Sequence, residues 1–153
     1  MTSPDDACEI LLDLQVPATV TGMDVVHAAL AGCWTSFQSV RPLPQRWRDE
    51  FSLAVAEVAA NIIQHAHAPH PPLVEFTLRL EHAPGYLQGC FIDRGIVAAP
   101  PDTPVMPSVT VSYEELGERG RGLALVQLTT DRFEYQRTPD GENIWIIEKH
   151  FPS

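Results

Sequence analysis

A chain of 153 residues, 44% of them apolar, suits one domain around one core, and 1–153 reads as a single domain. A formal net charge of -10, with Lys149 as the one lysine, argues against a nucleic-acid partner, which needs clustered cations. No apolar run is long enough to span a membrane, residues 1–6 are too polar for a signal peptide, and Cys8, Cys33 and Cys90 form no CxxC pair. These features predict a cytoplasmic setting without a membrane partner.

In chain order, 9–14 alternates polar and apolar residues and reads as a strand. Thr21-Gly22-Met23-Asp24 has the form of a capping box, with Asp24 in the usual place of Glu. It predicts a helix to about Ser39 with Val25, Ala29, Leu30, Cys33 and Phe37 on its inner face. Arg41-Pro42-Leu43-Pro44 breaks that helix. A long helix follows over about 45–67 and ends before Pro69 and Pro71-Pro72. Residues 73–81 set Val74, Phe76, Leu78 and Leu80 against Glu75, Thr77, Arg79 and Glu81, the pattern of a strand with one buried face. Turn chemistry at 82–85 and a returning strand at 86–93 complete a hairpin.

From 94 to 119 periodicity is lost and Pro100, Pro101, Pro104 and Pro107 crowd the chain. A loop of that length in a compact domain is usually a lid or a binding loop. Gly120-Arg121-Gly122 then opens a short helix over 123–130, and 133–137 with 144–150 form a second hairpin across Pro139-Asp140-Gly141. Strands grouped in hairpins with helices set apart predict an α+β fold, a two-layer sandwich of a mixed sheet packed on three helices. The other sheet face is expected to be open or dimerised.

Three polar clusters interrupt the apolar pattern. On the long helix, Glu57, Asn61 and His65 recur at four-residue spacing within an otherwise apolar stretch. Residues four apart stack on one helix face, and an unpartnered polar group on a buried face costs several kcal/mol or so. A metal ion with a polyphosphate would offset that cost. Asn61 offers a neutral oxygen to magnesium, which takes oxygen ligands at ~2.0–2.1 Å and keeps phosphates and waters. Glu57, one turn away, is placed to take a proton from a nucleophile. The second cluster is Asp93-Arg94-Gly95 at a strand end, where Asp93 can accept from an exocyclic amine and Gly95 lets a flat ring approach the backbone. The third is Glu118-Arg119-Gly120-Arg121-Gly122, where glycines at a helix start expose N–H groups to phosphate and Arg119 and Arg121 can meet its oxygens. His65, His67 and His70 are close in sequence, but no acid or Cys stands beside them, so loop histidines are expected rather than a zinc site.

Taken in this order, the clusters resemble those of the histidine-kinase-like ATPases, and within them the small anti-sigma factor serine/threonine kinases of bacterial partner-switching systems. Glu57-x-x-x-Asn61-x-x-x-His65-Ala66 resembles the asparagine box, Asp93-Arg94-Gly95 the first glycine box, and Gly120-Arg121-Gly122-Leu123-Ala124-Leu125 the second. The resemblance implies ATP and Mg2+ as cofactors. It implies Asn61 as the magnesium ligand, Glu57 as general base, Asp93 as reader of the adenine amino group, and His65, Gly95, Arg119, Gly120, Arg121, Gly122 and Leu123 around the nucleotide. It also implies a sigma factor and an anti-anti-sigma protein as partners, a homodimer, and a lid over about 94–119. Val97 stands where the first glycine box has its second glycine, and a β-branched residue tolerates positive φ poorly. A binding module that keeps the fold but not phosphoryl transfer is therefore the alternative.

Overall fold

The computed structural model describes residues 8–65, 75–95 and 117–153, with side chains in the last segment described from 122 onward. The element order is β1 (Glu9–Pro17), α1 (Val20–Gln38), α2 (Gln45–His65), β2 (Glu75–Ala83), β3 (Tyr86–Asp93), α3 (Gly117–Thr129), β4 (Arg132–Arg137) and β5 (Asn143–His150). The strands form one sheet in the order β1-β2-β3-β5-β4, and the helices pack on one face of it. The two-layer α+β architecture is the expected one. The sheet is antiparallel in each described pairing, rather than mixed. Both hairpins force antiparallel neighbours, and β5 slips between β3 and β4 in the same sense, so no parallel pair arises. The first hairpin turns at Pro84-Gly85, where Gly85 has φ 99, the left-handed region that glycine enters freely.

The period of two in each strand sends alternate side chains to the helices, and the register lines them up in rows across the sheet. One row is Leu12, Leu80, Gly89, Ile147 and Phe133. The next is Leu14, Leu78, Phe91, Trp145 and Tyr135. Against them α2 presents Phe51, Ala54, Val55, Val58, Ala59 and Ile62, all at most 2% exposed. Full burial of each large apolar side chain contributes about 1.5–3 kcal/mol, which is why α2 runs through the centre of the helical layer. A further row changes character along its length. Asp93, Asn143 and Arg137 are paired in it across β3, β5 and β4, while Val16 and Phe76 are paired at the β1 edge. The polar end of that row lies where the candidate site begins.

Three boundaries differ from expectation. α1 starts at Val20 behind Thr19, whose side chain makes no capping bond, so the Thr21–Asp24 box is not used. Gly22 instead lies in the first turn against β1: a Cβ there would sit 1.9 Å from the Pro17 carbonyl oxygen. That close approach rotates the buried stripe to Gly22, Val26, Leu30 and Phe37, leaving Val25 and Cys33 partly buried at its edge. β1 runs on to Pro17 because β2 extends alongside it to Glu75. α3 begins at Gly117, so the end of the expected loop is helical; residues 96–116, including Val97, and 66–74, including His67 and His70, lie outside the described residues. At the opposite pole of the helical layer Trp34, Trp47, Phe51, Phe37 and Phe151 form an aromatic cluster, and Trp47 Nε1 donates to the His150 carbonyl at 2.7 Å.

Candidate functional site

α2 brings Asn61 and Glu57 to the seam with α3. Asn61 is 9% exposed, and its Nδ2 is buried with no hydrogen-bond partner; among the described residues the one other such side-chain atom is Arg48 Nε, remote from the clusters above. The orphan marks an amide that keeps hydrogen-bonding capacity beyond what the described residues use. Glu57 departs from expectation. It is half-buried, since its carboxylate reaches out along the α2–α3 seam instead of into the core. No hydrogen bond or ion pair reaches that carboxylate among the described residues. Its Oε2 lies against Gly122, where an added Cβ would sit 2.4 Å from it. His65 is the last described residue of α2 and half-buried, one turn beyond Asn61.

The Asp93 carboxylate is built the opposite way. It is 3% exposed at the end of β3, and each oxygen is held. Oδ1 accepts from Gly95 N–H at 2.8 Å and from Asn143 Nδ2 at 2.8 Å; Oδ2 accepts from Trp145 Nε1 at 3.1 Å. Asn143 is itself fixed, because its Oδ1 accepts from Tyr135 O–H at 2.6 Å and from Arg137 NH1 at 2.9 Å. Arg137 NH1 also donates to the Gly95 carbonyl at 2.9 Å, which closes the loop between β3 and β4. Three donors on a carboxylate with about four acceptor positions leave one, on Oδ2, for a donor from outside the chain. Asn143, Trp145, Tyr135 and Arg137 are absent from the sequence-based site. The available signal was the inward series of β5, which opens with an amide at Asn143 before Trp145 and Ile147.

α3 supplies the third cluster. The N–H groups of its first three residues, Gly117, Glu118 and Arg119, have no partner within the helix, and its N-terminal end carries partial positive charge. Gly120 and Gly122 are the fourth and sixth residues of α3, where the N–H groups belong to the helical ladder, so both lie just behind the turn whose N–H groups are open to an anion. Leu123 packs against the core and Val126 is buried in it, which orients the helix. The side chains of Arg119 and Arg121 lie outside the described set. The far end of α3 is tied down by Lys149, 9% exposed, which donates to the Thr129 carbonyl at 2.7 Å and to Glu50 Oε2 on α2 at 2.9 Å. Those bonds, Lys149 first and Arg46 second, hold the Glu50 carboxyl below its usual range. Arg94, next to Asp93, is engaged with Glu142 at 3.3 Å.

The donor set fits magnesium with a polyphosphate. The Asn61 amide, whose Nδ2 has no partner among the described residues, can turn a neutral oxygen toward such an ion alongside phosphate oxygens, with the Glu57 carboxylate a helical turn away. A metal held by protein ligands alone is a different matter: no cluster of three or more His, Cys, Asp and Glu occurs among the described residues. A cysteine nucleophile is disfavoured as well, because burial pushes the Cys33 and Cys90 thiols up, opposite to the shift that makes a thiolate. The structure therefore brings Glu57, Asn61 and Gly122 to one seam, and Asp93 and Gly95 to one sheet end with the Asn143 network.

An antiparallel sheet under three helices, with a helix-borne Glu/Asn pair and a clamped Asp at a strand end, defines a two-layer α+β sandwich. The profile of the histidine kinase-like ATPase domain matches residues 23–147, and the chain belongs to that family. Among solved structures it is similar to a chain of the SiaB–SiaC complex from Pseudomonas aeruginosa, with a TM-score of 0.64, 14% identity, and coverage of 92% of this chain and 89% of that one. At that identity the likeness is one of fold. No curated protein matches the chain in sequence. Among the described residues no helix is long and apolar enough to cross a membrane.

Proposed function

We propose that this protein is an ATP- and magnesium-dependent anti-sigma factor serine/threonine kinase that sequesters a sigma factor and phosphorylates an anti-anti-sigma protein. The observation that carries the reading is the pair of polar groups on α2 that no described residue partners, Asn61 Nδ2 and the Glu57 carboxylate. Family membership supports ATP as the nucleotide. Support for a protein partner comes from the solved fold relative, whose structure is that of a two-protein complex. The anti-sigma role rests on the sequence resemblance, as do a cytoplasmic location and a homodimer.

In this reading Asp93 accepts from the adenine amino group through the remaining position on Oδ2. Asn61 holds the magnesium ion, which when bound neutralises phosphate charge. The α3 N-terminus, with Arg119, Gly120 and Arg121 in and just behind its first turn, receives phosphate oxygens; His65 and Leu123 line the same region, and Gly95 lets the base approach the backbone. Glu57 accepts the proton of a partner Ser or Thr hydroxyl as its Oγ bonds to the γ-phosphorus and the bond to the ADP oxygen breaks. Titration calorimetry with ATP and ADP, with and without magnesium, tests the nucleotide part: saturable binding is expected, with the magnesium dependence lost in Asn61→Ala. Absence of binding under each of those conditions overturns it. Phosphate incorporation into a cognate partner tests transfer.

Val97 at the second-glycine position favours a second reading, an anti-sigma or adaptor module that binds nucleotide without transferring phosphate. Binding without incorporation into the partner would select it.

A further inference from the structure

The start of α3 five residues before Gly122 changes what that glycine does. Its N–H is taken by the helical ladder, so it is poorly placed to cradle phosphate through its backbone. What it presents to α2 is the bare side of a helix. A Cβ at 122 would lie 2.4 Å from Glu57 Oε2, 3.4 Å from its Cδ and 3.8 Å from its Cβ. No hydrogen bond or ion pair from the described residues holds the Glu57 carboxylate. Its location is set by shape: it occupies the space that any other residue at 122 would fill. By contrast Gly32 on α1 has nothing within 4 Å of a built Cβ.

We infer that Gly122 is a positioning residue for Glu57: the missing side chain on α3 is the slot that seats the proton-accepting carboxylate. The inference rests on the proposed role of Glu57 in transfer. It separates two properties that a phosphate cradle would join. The contacted atom is the free end of a flexible side chain, so Gly122→Ala is relieved by rotating Glu57 away, with little loss of stability. Alanine also favours a helix interior over glycine. Nucleotide affinity should persist while proton transfer fails, because a general base contributes about 10²–10⁴-fold only when it is within hydrogen-bond reach of its proton.

The test uses the full chain, with ATP·Mg hydrolysis as the transfer probe, water replacing the hydroxyl nucleophile. Gly122→Ala is expected to melt no lower than wild type, to bind ATP·Mg within about threefold of wild type by calorimetry, and to lose at least about tenfold in kcat with KM little changed. Glu57→Asp shortens the acid and frees the slot, so adding Gly122→Ala to it should cost less than about threefold in kcat. Equal kcat in wild type and Gly122→Ala overturns the inference, and so does a parallel loss of affinity, which would return Gly122 to phosphate binding. A readout independent of activity is the 13C resonance of the Glu57 carboxyl, identified by its disappearance in Glu57→Gln. It should move in Gly122→Ala and stay in Gly32→Ala. An unmoved resonance overturns the positioning role even in a protein that hydrolyses nothing, whereas a moved resonance with no hydrolysis by wild type leaves the positioning intact and counts against the kinase reading.

Discussion

Asp93 and Glu57 are two carboxylates of the proposed site, and the chain treats them differently. Asp93 is 3% exposed and takes three hydrogen bonds from Gly95, Asn143 and Trp145. Glu57 is half-buried and takes none from the described residues. Between them Asn61 is buried with its Nδ2 unpaired. The sheet end is pre-organised, so its geometry is part of folding. At the α2–α3 seam no described residue bonds the Glu57 carboxylate or Asn61 Nδ2, which leaves bonding capacity there for something added. Groups that bind charge and move protons have to keep capacity in reserve, and stability is not improved by them.

That contrast can be broken by substitution. The largest effect is expected on chemistry: Glu57→Ala should lower phosphate transfer to a partner by about 10²–10⁴-fold while leaving ATP·Mg affinity near wild type. Transfer at the wild-type rate, measured by phosphate incorporation, would show that the acid is a bystander. Next in size is Asp93→Ala, which strands three buried donors at once. Each is worth about 1–3 kcal/mol when left unsatisfied, so a loss of about 3 kcal/mol or more in urea unfolding is expected. A variant with an unchanged midpoint would refute the clamped-carboxylate description.

Asn61→Ala is the counterpart. Its amide makes no Nδ2 bond to lose and alanine prefers a helix, so stability should stay within about 0.5 kcal/mol of wild type or rise slightly. Magnesium-dependent nucleotide affinity should nevertheless fall. Destabilisation approaching that of Asp93→Ala would erase the distinction between the two ends.

The effect furthest from the chemistry concerns the Lys149 tie that holds α2 and α3 in register. Lys149→Met should destabilise by about 1–3 kcal/mol at neutral pH, mostly through the Thr129 carbonyl and Glu50 losing their donor. Glu50 titrates below its ordinary range in the folded protein, so its contribution is full above the unfolded value and is lost as pH falls through the folded one. The gap between wild type and Lys149→Met should therefore narrow as acid is added below the ordinary glutamate range, near pH 4. A constant gap in acid unfolding curves would remove Glu50 from the account.

Much of the fold was readable because the signals are local. Phe76, Leu78 and Leu80 alternating with Thr77, Arg79 and Glu81 can only be a half-buried strand, and Pro84-Gly85 can only turn it back. Glu57, Asn61, Asp93 and Gly122 announce themselves as polar or backbone-permissive positions in apolar or turn-rich surroundings. The start of α1 was misplaced because the contact that sets it, Gly22 against the Pro17 carbonyl, joins a helix to a strand and leaves no mark on helix periodicity. The clamp on Asp93 escaped for a similar reason. Asn143 and Trp145 are fifty or more positions away, and nothing in β5 by itself says which strand end it will lie beside.

Sequence alone determined the strands, the central helix and the chemical identities of the Glu/Asn pair and the Asp-x-Gly turn, since hydrophobic period and residue type are properties of short stretches. Only the tertiary structure decided how those groups are held. Antiparallel register delivered Asn143, Trp145 and Arg137 to Asp93, and the packing of α3 on α2 put a glycine, rather than a hydrogen-bond donor, beside Glu57. Partnering depends on distance in space, and distance in space is fixed by the sum of many long-range contacts, not by any one segment.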